Sequence, residues 1–170
     1  LRFEPGLRWE YSNSNYVLLA QIVSKVSGET FPEYVRDHIF VPLGMNDSFV
    51  YTGRPRGAHA TGYVRHGGSL ARAERNAANY VYGDGQINST IADLANWVRA
   101  LSGEVLVGAA TLQEAFTPAR TSDGTRVPYG FGWGLGRYRG LDFVGHGGET
   151  DGFAAQLTRF PQQDLTVNVL

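Results

Sequence analysis

Two short stretches bring reactive side chains next to accessible backbone. Tyr11-Ser12-Asn13 stands just ahead of a long apolar run, and Gly145-His146-Gly147-Gly148-Glu149 lies far downstream. A phenol with a pKa of about 10 is a poor base in water, but a neighbouring cation lowers that value and lets it shuttle protons. The Asn13 amide combines an acceptor oxygen with two N–H donors, a set suited to orienting a substrate amide. The glycines after His146 let a ligand approach the main chain, where free N–H groups at a strand edge could hold the oxygen of a tetrahedral intermediate. Each stretch also has a plainer reading. Asn13 could cap the helix with Tyr11 packed against it, and the glycines could form a hairpin carrying a surface histidine.

A nucleophile is harder to find. There is no Gly-x-Ser-x-Gly elbow, and three residues before the one lysine, Lys25, stands Ile22, so no Ser-x-x-Lys occurs in these 170 residues. Ser12 and Ser14 flank the motif, but nothing in the spacing supplies a base oriented by a third group. A Ser-His-Asp arrangement through His146 and Asp151 stays open without positive support. His38, His59, His66 and His146 show no ligand spacing, so neither a metal nor another cofactor is expected. The absence of cysteine excludes disulfides, thiol catalysis and cysteine-based zinc sites.

The bulk numbers fit a soluble globular chain, with 42% hydrophobic and 18% charged residues. A net charge of −1 recruits neither nucleic acid nor an acidic membrane, and no apolar run approaches the roughly 20 residues that span a bilayer. Fourteen arginines accompany the single lysine, five of them between Arg54 and Arg75. With few aromatics among them, those five read as a solvated loop rather than a phosphate-binding patch.

These stretches need elements to position them. Apolar residues at 16, 19, 20, 22, 23 and 26 predict a helix that Asn13 or Ser14 can cap and Gly28 can end. A second helix is expected over Phe31–Phe40, stopping before Pro42, followed by a long surface connection over residues 53–75. Thr90 and Asp93 form a capping pattern ahead of a helix with Ile91, Leu94, Ala95, Val98 and Leu101 as its buried face. A short helix is expected around Thr111–Phe116. After Pro128 the texture becomes short β-rich segments with tight turns, which implies antiparallel neighbours. The fold class is therefore α+β, with residues 1–127 helical and loop-rich and residues 128–170 forming sheet, together parts of one catalytic domain.

Taken in order, six blocks resemble the serine β-lactamase-related superfamily of class C β-lactamases, penicillin-binding DD-carboxypeptidases, family VIII esterases and D-aminopeptidases. They are "FEPGLRWEYSNSNY", "YVRDHIFVPLGMNDS", "ATGY", "GDGQINSTIADLANWVRAL", "YGFGWGL" and "GHGGETDGF". The resemblance implies a β-lactamase/transpeptidase-like fold and three catalytic elements: Ser-x-x-Lys, Tyr-x-Asn, and Lys-Thr-Gly or its His-x-Gly variant. Tyr11 and Asn13 match the second; His146 and Gly148 match the third. By that resemblance Tyr11 relays protons to and from the serine, and Asn13 binds the acyl-side amide or carbonyl of the substrate. His146 takes the place of the third motif's lysine, and the backbone N–H of Glu149 is one oxyanion donor.

The first element is expected upstream of Leu1, and a final helix beyond Leu170. Lys25 cannot replace the missing lysine, since twelve residues of helix put it roughly 18 Å from Asn13. The chain is thus expected to be part of a serine hydrolase, inactive by itself, with unpaired strand edges and exposed apolar surface. The contrasting expectation is an inactive truncated paralogue or ligand-binding fragment. Implied substrates are a β-lactam, a D-Ala peptide, a D-amino acid amide or a short-chain ester, and histidine in the third motif favours an esterase, peptidase or amidase over a dedicated β-lactamase. Family habit would place such a protein in the periplasm or outside the cell.

Overall fold

A computed structural model describes the chain except for residues 54–56, 74–80, 104 and 151. Arg54, Arg56 and Arg75 of the arginine-rich stretch, and Asp151 of the conceivable triad, lie outside the described residues. The fold is α+β, as the sequence implies, and its contacts divide it into two units.

One unit comprises Leu1–Tyr11, Ala100–Gly147 and Gln156–Val169. It contains helix α5 (Ala109–Ala115) and most of a sheet of sequential order β5 (Gly134–Tyr138), β6 (Leu141–Thr150), β7 (Phe153–Phe160) and β8 (Leu165–Val169). β5 and β6 pair antiparallel with Gly134 opposite Gly145, and β7 and β8 pair antiparallel with Gln156 opposite Val169. Connections of two and four residues leave no room for a parallel crossover. The core here is Ala115, Val127, Val144 and Phe160, with Phe143 packed edge-on against Phe160 at 6.2 Å. β8 alternates in the opposite sense to a covered strand, with Leu165, Val167 and Val169 about half exposed.

The second unit comprises Ser12–Arg99, Gly148–Ala155 and Leu170. Its core joins Val35, Phe40, Met45 and Val50, flanked by Phe31, Tyr82 and Trp97. α1 (Asn13–Ser27) ends at Gly28, whose φ of 78° is the left-handed cap the sequence predicts. Its start differs from the expectation. Ser12 is the cap residue, and Asn13 already lies within the first turn. The apolar stripe is also mostly uncovered: α1 packs on α2 with Ala20 buried, while Leu19, Ile22 and Val26 stay exposed.

The second helix does not stop before Pro42. α2 (Phe31–Val35), capped by the reciprocal Thr30–Glu33 pair, runs into a π turn (Arg36–Phe40) and then α3 (Val41–Leu43). Val41 N–H reaches back five residues to Arg36, a wider ladder that carries the helix past a residue with no N–H of its own. The expected surface connection holds an exposed hairpin, β2 (Tyr63–His66) paired with β3 (Ser69–Arg72) across Gly67-Gly68. The sheet-like pair β1 (Phe49–Val50) and β4 (Ile87–Asn88) precedes α4 (Ile91–Ala100).

Thr90 Oγ1 caps α4 by accepting the Asp93 N–H at 3.2 Å. The Asp93 carboxylate, buried, accepts instead from Asp47 N–H at 2.9 Å and the Ser48 hydroxyl at 2.7 Å. The capping signal therefore doubles as a tie to the loop after α3. Of the face expected for α4, Leu94 and Val98 are half-buried and Leu101 is buried, whereas Ile91 and Ala95 are exposed. The short helix expected around Thr111–Phe116 is α5, which begins two residues earlier.

Candidate active site

The extended approach to α1 (Ser12 φ −152°, ψ 116°) sets Trp9 and Tyr11 two residues apart, the spacing that places side chains on one face of an extended chain. Both rings meet Tyr129. Trp9 lies 5.4 Å from it, and Tyr11 meets it edge-on at 6.1 Å and 85°. His146 completes the cluster, 6.0 Å from Tyr11 and 6.1 Å from Tyr129, the latter also edge-on at 75°. Edge-to-face pairs of this kind contribute about 0.5–1.5 kcal/mol each beyond area burial.

Two glycines make the cluster possible. Gly145 sits just before His146 in β6, and a Cβ there would stand 2.6 Å from Leu157 O on β7. Gly130 follows Tyr129, and a Cβ there would stand 2.0 Å from Ala115 O. Neither position admits another residue without moving backbone. Tyr129 is fixed further by its own main chain, donating to Val127 O at 2.7 Å and accepting from Ala119 N–H at 3.0 Å.

The hydrogen bonds of His146 define its proton. Nδ1 stands 2.7 Å from Gly147 O, and a carbonyl only accepts, so Nδ1–H donates there. In the neutral imidazole Nε2 is then the acceptor and takes the Tyr129 hydroxyl at 3.0 Å. The result is a half-buried histidine in one tautomer, beside a half-exposed Tyr11 whose phenol borders solvent.

The remaining sequence-selected residues are open. Asn13 is exposed in the first turn of α1, and its amide makes no hydrogen bond among the described residues. Gly148 and Glu149 are exposed in β6, and a Cβ added at Gly148 would meet nothing within 4 Å. Lys25 lines an apolar cleft with Val17, Ala20, Phe31 and Tyr82, on the same continuous helix as Asn13. No group of three or more His, Asp or Glu side chains gathers to hold a metal among the described residues, and no helix there is long and apolar enough to cross a membrane.

Sequence reasoning missed Tyr129 and Trp9. Tyr129 opens the "YGFGWGL" block, read only as strand, although the strand starts at Gly134. The two-residue spacing of Trp9 from Tyr11 was the available signal for the other.

A family model described as Beta-lactamase matches residues 1–170. The chain is 36% identical over 177 residues to penicillin-binding protein 4* of Bacillus subtilis, covering 93% of this chain and 38% of that protein. It is 28% identical to a D-aminopeptidase of Gluconobacter oxydans, covering 100% of this chain and 32% of that one. Among solved structures, the octameric penicillin-binding protein homologue from Pyrococcus abyssi superposes with a TM-score of 0.84 at 28% identity, over 98% of this chain and 39% of that one. The D-amino acid amidase from Ochrobactrum anthropi SV3 complexed with L-phenylalanine amide gives 0.81 at 27%, over 98% and 50%. The chain thus spans about two fifths or less of the curated relatives named here. With its whole length matched and its order of motifs kept, the chain belongs to the β-lactamase family.

Proposed function

We propose that these residues supply the Tyr-x-Asn and His-x-Gly elements of a serine hydrolase that cleaves an amide or ester through an acyl-enzyme. The observation that carries this reading is the approach of Tyr11 to His146, 6.0 Å apart between ring centres though drawn from opposite ends of the chain. Tyr11 is the proton relay, His146 the polar wall, Asn13 the substrate-amide ligand, and the Glu149 N–H beside Gly148 an oxyanion donor. The helical region 1–127 and the sheet region 128–170 act as parts of one catalytic domain. The nucleophile and its lysine come from sequence outside these residues, since no Ser-x-x-Lys occurs within them.

A substrate amide is supported by the D-aminopeptidase and D-amino acid amidase among the similar proteins. A histidine rather than a lysine in the third motif favours an esterase, peptidase or amidase over a dedicated β-lactamase. A short-chain ester, a D-Ala peptide or a β-lactam are the other substrates this chemistry accommodates. The second reading, an inactive ligand-binding fragment, is favoured by one observation, the missing nucleophile.

One experiment separates the two. The complete gene product is exposed to a β-lactam and to a fluorophosphonate probe, and a stoichiometric serine adduct is the expected result. Absence of any Ser-x-x-Lys from the complete gene would sink the enzyme reading. The 170 residues alone are expected to turn over nothing, and serine-dependent hydrolysis by them would overturn the assignment of the nucleophile to another segment.

A further inference from the structure

We propose that Tyr129 is a positioning residue for His146, fixing the imidazole and, through it, the glycine backbone that follows. The Tyr129 hydroxyl donates to Nε2 at 3.0 Å while Nδ1–H donates to Gly147 O at 2.7 Å. A histidine engaged at both nitrogens has one ring orientation and one tautomer. Gly147 and Gly148 have no side chains to restrain them, so the bond from His146 is a side-chain tie on the peptide that leads into Gly148 and Glu149.

Tyr129 is itself rigid enough to serve as the anchor. Its N–H and carbonyl are both bonded, Gly130 is wedged against Ala115 O, and its ring lies against Trp9. Its ring also meets both Tyr11 and His146 edge-to-face, so one phenol contacts both the proposed relay and the proposed wall. The consequence for turnover rests on the acyl-transfer reading; the hold on the imidazole does not.

Tyr129→Phe keeps the ring contacts and removes only the hydroxyl. In the full-length ¹⁵N-labelled protein, with His146 assigned by comparison with His146→Ala, the Nε2 resonance of the neutral imidazole is expected to move while Nδ1 stays protonated. An unchanged Nε2 resonance would overturn the proposal. Acylation by the fluorophosphonate probe is expected to slow about 10-fold in Tyr129→Phe, because small misplacements near reacting groups are costly. In a His146→Ala background the same change is expected to cost less than about 2-fold, the non-additivity of residues that act through one another. Equal costs in both backgrounds would mean that Tyr129 only supports the fold, and the proposal would fail. If the unaltered protein takes no label at all, the proposed function falls, and the Nε2 resonance alone decides the role of Tyr129.

Discussion

Tyr11 and Asn13 belong to one three-residue motif, yet the fold treats them differently. Tyr11 meets Tyr129 and His146 through its ring, each within about 6 Å. Asn13 stands exposed in the first turn of α1 with no hydrogen-bond partner among the described residues. The same split recurs in the other motif. His146 is bonded at both ring nitrogens, whereas Gly148 and Glu149 two and three residues on are exposed. Groups that move protons work best when packing already holds their rings in place. Groups that bind the substrate need an open donor or acceptor, because a satisfied one has nothing left to offer.

Substitutions on each side of that split should therefore fail in different ways. Tyr11→Phe leaves the ring contacts and removes the proposed proton carrier, so acylation of the full-length protein should fall by about 100-fold or more at saturating substrate. Asn13→Ala should leave the maximal rate closer to normal and raise KM by about 10-fold, the effect of one lost substrate hydrogen bond. Identical kcat and KM profiles for the two variants would erase the distinction. The smallest effect is expected far from both motifs, at Asp123. The Thr121 hydroxyl and then the Thr125 N–H hold its carboxyl down to about 2. A depressed carboxylate stabilises the fold above the ordinary carboxylate range, and that contribution is lost as pH falls to about 2. Asp123→Asn should therefore lower the melting temperature slightly at pH 7, with the gap closing in acid, while acylation stays unchanged.

Much of this was legible from residue order because it depends on local chemistry. Gly28 ends α1 since only a residue tolerant of positive φ fits there, and Thr90 caps α4 since its hydroxyl reaches the Asp93 N–H. The tight turns after Pro128 announced an antiparallel sheet. What stayed hidden depends on groups brought together from afar. Pro42 reads as a stop, but a π turn upstream carries the helix through it. Asp93 reads as half of a capping box, but it is spent on Asp47 and Ser48. Tyr129 reads as the start of a strand, and only its approach to His146 gives it a role. The stripe on α1 announces the helix but not its cover, and Leu19, Ile22 and Val26 are exposed. Periodicity reports which side of a helix is apolar; it does not say what covers it.

The central claim, that Tyr11 works beside His146 in acylating a serine supplied elsewhere in the protein, has a direct test. The full-length protein and its Tyr11→Phe variant are incubated with the fluorophosphonate probe, and adduct formation is followed by intact mass over time. The account predicts one covalent adduct on a serine outside residues 1–170, formed at least about 100-fold more slowly in the variant. Equal rates for the two proteins, or an adduct on a serine within these residues, would contradict it.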